Sequence, residues 1–274
     1  YYKALKAIWE ALDGKNWRYY SGTINNTIHS LNWNFNKELD MWGDQPGVDL
    51  DNNGRVTGLS LAGFGAKGRV PDAIGQLTEL KVLSFGTHSE TVSGRLFGDE
   101  ELTPDMSEER KHRIRMHYKK MFLDYDQRLN LSDLLQDAIN RNPEMKKDSR
   151  ISLKDTQIGN LTNRITFISK AIQRLTKLQI IYFANSPFTY DNIAVDWEDA
   201  NSDYAKQYEN EELSWSNLKD LTDVELYNCP NMTQLPDFLY DLPELQSLNI
   251  ACNRGISAAQ LKADWTRLAD DEDT

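Results

Sequence analysis

Apolar residues recur along this chain in two alternating rhythms. Leu59-Ser60-Leu61 returns 24 residues later as Leu83-Ser84-Phe85, and Val224-Glu225-Leu226 returns 24 residues later as Leu248-Asn249-Ile250. Around these pairs stands the frame L-x-x-L-x-L, at Leu80/Leu83/Phe85, Leu178/Ile181/Phe183, Leu221/Val224/Leu226 and Leu245/Leu248/Ile250. Strict alternation predicts a short strand that buries every second side chain. Each frame follows a second motif with helical or 3₁₀ spacing: Val70-Pro71…Ile74…Leu77, Ile168-Ser169…Ile172…Leu175 and Leu235-Pro236…Leu239…Leu242. One strand with one such turn cannot enclose a core, so the units must stack. The prediction is an α/β solenoid, with short parallel strands on the concave face and helical or 3₁₀ turns on the convex face. Five units are clear, and a sixth is expected over 151–175.

The pattern changes at three places. Leu5, Ile8, Trp9 and Leu12 fall on one face of a helix that Asp13-Gly14 ends. Trp17, Trp33, Phe35, Leu39 and Trp42 follow, and together they are expected to cover the first turn as an N-terminal cap over 1–55. The same aromatics read otherwise as a sugar-stacking platform. Turns 1–2 occupy 56–97. Residues 98–150 break the repeat with two amphipathic helices, at 107–129 and 132–142. Turns 3–4 are expected over 151–188, an acidic aromatic insertion over 189–217, and turns 5–6 with a C-terminal helix over 218–274.

The chain resembles leucine-rich repeat proteins, above all the plant-type consensus L-x-x-L-x-L-x-x-N-x-L-x-G-x-I-P-x-x-I-x-x-L. Leu59, Leu61, Ala66, Gly68, Val70, Pro71, Ile74 and Leu77 match its later part. The ladder position departs from it, holding Phe64, His88, Ser186 and Cys229, and Asn only at Asn253. The cap strings A-L-x-x-I-W-E-A-L-D-G-x-x-W and Pro46-Gly47-Val48…Gly54-Arg55-Val56 are similar to the cap that precedes such repeats, without its cysteines. With its long insertions the chain is similar to exported leucine-rich proteins of Gram-negative gut bacteria. That resemblance implies export to the cell surface or periplasm, with membrane attachment only through an anchor.

Composition narrows the partners. Across 274 residues there are 31 Lys and Arg against 42 Asp and Glu, a formal charge of −11. This argues against nucleic acid, which demands a basic face. Mean hydropathy is −0.64, and no apolar run is long enough to span a bilayer. Eight of the carboxylates lie in 189–217 against Lys206 alone, and four more in 270–273. The rest of the chain is neutral in sum, so the acidity belongs to one insertion and one end.

Candidate chemistry follows from these segments. Asp49-Leu50-Asp51-Asn52-Asn53-Gly54 opens like a calcium loop, but Ser60 stands where a bidentate Glu belongs, so a turn is expected. His112 and His117 are five apart, off the i, i+4 spacing of a helical metal pair. The basic residues of 107–129 read as a solvated face or as a phosphate or acidic-partner site. Cys229 and Cys252 are offset within their turns and are expected as free thiols. No nucleophile elbow, phosphate loop or metal cluster occurs, so no catalytic residue, metal or cofactor is assigned. Binding is expected on the concave face at Tyr182, Asp223, Glu225, Tyr227 and Asn249, with Ala62, Gly86, Ala184 and Ala251 leaving room beside Tyr227. Trp197 and Tyr204 of the acidic insertion are the remaining candidates, toward a protein, peptide or glycan ligand. The alternatives are a carbohydrate-active enzyme using Asp196, Glu198 and Asp199, or a structural spacer. A monomer is expected.

Overall fold

The computed structural model describes residues 1–17, 47–86 and 163–270, with 19–21, 27–29, 33–38, 42 and 45 between the first two. The helices expected at 107–129 and 132–142, with His112 and His117, lie outside the described residues, as do His88, Leu39 and the tail after 270. Helix α1 (Tyr2–Ala11) buries Ala4, Leu5 and Ile8 on its periodic face. Asp13 leaves it in the left-handed region, and a Cβ on Gly14 would fall 2.2 Å from the Trp9 ring. A short antiparallel pair follows, β1 (Tyr19–Ser21) and β2 (Thr27–His29).

Six strands then form the main sheet: β3 (Val48–Leu50), β4 (Val56–Ser60), β6 (Val82–Gly86), β8 (Ile180–Phe183), β9 (Asp223–Glu225) and β10 (Ser247–Asn249). Its order is β10-β9-β8-β6-β4-β3, with only β3 antiparallel to its neighbour. Between β4 and β6 runs β5 (Lys67–Val70), which pairs in parallel with β7 (Arg164–Ile168) in a second sheet. Ile168 bridges on to Ile193, extending that row. On this second side the motifs with Pro or Ser become 3₁₀ turns, at Asp72–Gln76, Lys170–Arg174, Trp215–Asn217 and Asp237–Asp241. Helices α2 (Asp203–Tyr208) and α3 (Ala258–Asp270) are the remaining α-helices among the described residues, and a 3₁₀ turn at Gly14–Asn16 follows α1. The fold is thus mixed α/β with stacked parallel strands.

Both periodic rhythms face one core. Leu59, Leu61, Leu80, Leu83, Phe85, Leu178, Ile181, Phe183, Leu221 and Leu226 are fully buried from the strand side, as are Val70, Ile74, Ile172, Leu175 and Leu218 from the other. The aromatic cluster is core as well. Trp17, Trp33 and Trp42 are at most 5% exposed, with edge-to-face contacts Trp17–Trp33 at 5.0 Å and Trp33–Trp42 at 5.5 Å. Rings buried on all sides offer no platform to a sugar. The turn at 49–54 closes on itself: Asp51 Oδ1 accepts from the N–H groups of Asn53 and Arg55, and Oδ2 from Arg55 Nε.

The ladder is filled differently from the sequence count. Phe64 packs its ring on Trp17 at 5.5 Å and supplies no amide. The amide comes instead from Asn163. Its Nδ2 donates to Leu61 O and Phe85 O, both at 2.8 Å, and its Oδ1 accepts from Ala66 N at 2.8 Å. Asn163, Ile165, Ile168, Ile172 and Leu175 therefore complete the turn that β6 begins. They do not start a separate turn, because β8 pairs directly with β6. Farther along, Cys229 donates its thiol to Phe183 O at 3.2 Å, and Asn253 takes the Cys229 N–H and donates to Leu226 O and Ile250 O.

Candidate functional site

The parallel register builds one outward row across the main sheet. Ser60 aligns with Ser84, Ser84 with Tyr182, Tyr182 with Glu225, and Glu225 with Asn249. Every residue of this row sits between two inward apolar positions, so parity alone brings it to the outer face. Asp223 lies two residues before Glu225 on the same face. Tyr182, Asp223 and Asn249 are half-buried, while Ser84 and Glu225 are 3% and 2% exposed.

Depth therefore differs along the row. Tyr182 stands on one side of Glu225, and Asn249 on the other donates Nδ2 to its Oε2 at 3.3 Å. The expectation of an open Glu225 is corrected: its neighbours in the row enclose it. Tyr227 is corrected likewise. It is 8% exposed, clusters with Ala184 and Cys252, and takes the Cys252 thiol on its hydroxyl at 3.1 Å. The space that small neighbours leave is filled by the Tyr227 ring itself. Burial, then the Asp223 and Glu225 carboxylates, push the Tyr182 hydroxyl above the ordinary tyrosine range. Asp223 accepts the Thr222 hydroxyl at 2.7 Å.

Trp197 and Tyr204 do not join this row. The insertion packs against the 3₁₀ side, where Asp72 anchors it. Asp72 is 2% exposed and has four donors: Ser169 Oγ at 2.5 Å, Glu198 N at 2.8 Å, Asp199 N at 3.1 Å and Ser202 Oγ at 2.7 Å. Ser202 also accepts from Ala205 N and so starts α2. Trp197 stacks under the Lys170 ammonium at 4.5 Å from the ring centre. Tyr204 lies against Tyr208, which is fully buried beneath the Arg174 guanidinium at 3.9 Å and takes a hydrogen bond from Gln76. Burial raises the Tyr208 hydroxyl.

The acids of the insertion are held apart. Glu198 pairs with Arg69 at 3.0 Å and Glu211 with Arg174 at 2.6 Å, while Asp196 and Asp199 accept backbone N–H groups of Trp197 and Asn201. Among the described residues no group of three His, Cys, Asp or Glu side chains is placed to hold a metal ion. No helix among them is long and apolar enough to cross a membrane. Asp72 and Asn163 are the residues that sequence reasoning passed over. Asn163 had a signal, since Ile165, Ile168, Ile172 and Leu175 follow it at consensus spacing, whereas Asp72 had none.

Comparison with known proteins agrees with this architecture. A leucine-rich repeat family model matches residues 1–61. The chain is similar to a leucine-rich repeat protein of Bacteroides thetaiotaomicron VPI-5482, with 99% identity over 100% of this chain and 33% of that one, and a TM-score of 0.73. It is also similar to one of Bacteroides eggerthii DSM 20697, with 62% identity over 98% of this chain and 42% of that one, and a TM-score of 0.69. The chain thus spans well under half the length of either relative. No curated protein matches it. Repeat frame, stacked parallel strands and these likenesses together place the chain among the leucine-rich repeat proteins, similar to those of gut bacteria.

Proposed function

We propose that this chain is a non-catalytic recognition module that binds a protein, peptide or glycan on its strand face. In this reading the main sheet is the concave side of a solenoid, the 3₁₀ turns are its convex side, and α1 with the tryptophan cluster is its N-terminal cap. Leucine-rich repeat proteins generally mediate binding. The observation that carries the reading is the row Tyr182, Glu225, Asn249, with Asp223 beside it. It sets a half-buried aromatic next to two carboxylates and an amide on adjacent strands. Tyrosine gives contact area at low entropy cost, and the half-buried Asp223 carboxylate favours a ligand that offers cations or hydrogen-bond donors, with Glu225 enclosed behind it.

The acidic insertion is a second surface in this reading, on the convex side, and it does not share a pocket with the row. The geometry of Asp196, Glu198 and Asp199 does not favour glycoside hydrolysis, because Glu198 pairs with Arg69 and the two aspartates each accept a separate backbone N–H. Export, a cell-surface or periplasmic location and a monomeric state belong to the same proposal and rest on the resemblance. The test is an array of peptides and bacterial and host glycans, probed with the wild type and with Tyr182→Ala/Asp223→Ala. A ligand retained by the wild type and lost by the variant supports the strand face. Equal binding by both removes it.

A further inference from the structure

The last described turn is built like the others but is not closed like them. Leu245, Leu248 and Ile250 fill the frame positions that are sealed in the preceding turns, yet all three are only half-buried. Strand β10 pairs with β9 on one side and ends the sheet on the other. Beside it opens a groove of about 740 Å³, lined by Leu242, Leu245, Leu248, Trp265 and Leu268 among others. Its far wall is α3, whose Trp265 is 55% exposed.

Helix α3 is not a loose end. Asp264, 7% exposed, accepts the Leu235 N–H at 3.0 Å, and Arg267 pairs with Asp237 at 2.8 Å while lying 3.6 Å over the Tyr240 ring. Helix α3 thus stacks on the 3₁₀ turn Asp237–Asp241, as the turn Lys170–Arg174 stacks on Asp72–Gln76. It holds the place of an outer element, with no strand beyond β10 to match it among the described residues.

We infer that the groove between β10 and α3 seats a further parallel strand with the L-x-x-L-x-L frame, supplied by the next repeat of a longer chain. An added strand would continue the ladder in the register that already joins Leu83, Ile181, Val224 and Leu248. Its two inward residues would cover Leu248 and Ile250 on one side and Trp265 and Leu268 on the other. The N–H groups of Leu61 and Leu226 donate to the carbonyls of Ser84 and Asn249 on the next strand, and Ile250 N–H is their equivalent on the open side. The greater length of both Bacteroides relatives supplies room for such a repeat. The inference is independent of what the strand face binds.

Amide hydrogen exchange at Ile250 tests it, compared between the 274-residue chain and a chain lengthened through the next frame encoded in its gene. The lengthened chain is expected to exchange Ile250 at least about ten-fold more slowly, as a newly paired amide does. Trp265→Ala is expected to lower the melting temperature of the lengthened chain and leave that of the 274-residue chain unchanged. A gene with no such frame, unchanged exchange in the folded lengthened chain, or an equal effect of Trp265→Ala on both chains would overturn the inference. So would a dimer of the 274-residue chain that protects Ile250 and is broken by Trp265→Asp, since that outcome makes a second copy the occupant.

Discussion

Asn163 and Phe85 lie 78 positions apart and share one hydrogen bond, from Nδ2 to the carbonyl oxygen, at 2.8 Å. The same amide group holds Leu61 O, and its oxygen holds Ala66 N. One buried side chain therefore joins two successive turns.

Asn163→Ala should leave two buried carbonyls and one buried N–H without partners. Each such loss costs about 1–3 kcal/mol, less where water enters, so about 3 kcal/mol in total is expected. Urea denaturation measures it. Asn163→Asp should be at least as harmful, because it sets an oxygen against both carbonyls. A loss below 1 kcal/mol for both variants would refute the ladder role.

Asp72→Ala should release the acidic insertion while leaving the main sheet in place. Two backbone N–H groups and two hydroxyls lose their common acceptor. Limited proteolysis should then cut within 196–209 faster than in the wild type, and the amides of Glu198 and Asp199 should exchange faster. Unchanged cutting would mean that the cation–aromatic contacts of Lys170 and Arg174 suffice.

Trp17→Ala should cost about 3–5 kcal/mol, as removal of a buried indole does. Trp17 is 1% exposed, and its Nε1 donates to Leu12 O at 2.8 Å. Glycan binding, once a ligand is known, should follow the loss of folded protein and nothing more. Weaker binding per folded molecule would revive the sugar-platform reading.

The two thiols should behave differently. Burial pushes Cys229 up to about 12, from 9.0, whereas Cys252 is half-exposed. A thiol reagent at pH 8 should label Cys252 in the native protein and Cys229 only after unfolding. The linkage has a definite sign. Between pH 9 and 12 the unfolded chain gives up the Cys229 proton and the folded chain keeps it, so stability falls as pH rises. This contribution is complete below pH 9. Cys229→Ala should flatten the fall between pH 9 and 10.5 in urea titrations; an identical slope in both proteins would contradict it.

The frame residues were legible in the sequence because both rhythms carry burial directly, and every full frame up to Leu226 lies in the core. Asn163 was not, although the apolar residues after it fit the consensus. Residues 86–162 separate it from Phe85, and counting by 24 fails across such a gap. The row on the strand face was legible as a row, since parity fixes which face a side chain takes. Its depth was not, since parity says nothing about how Tyr182 and Asn249 crowd Glu225, or how Tyr227 fills the space beside Ala184. The side on which the acidic insertion packs was illegible too. Its anchors Arg69, Asp72 and Arg174 belong to other turns, and charge pairs leave no periodic trace.

The direct pairing of β6 with β8 has a consequence for how this architecture can change. The chain departs after Gly86 and rejoins at Asn163, and those two points sit on one rung: Ala184 N bonds Gly86 O at 2.9 Å, and Asn163 bonds Phe85 O. These bonds fix both points whatever lies between them. Further length there adds only logarithmically to the entropy of closure. That rung is a port at which a module can be exchanged or enlarged during descent, while every strand behind it keeps its register.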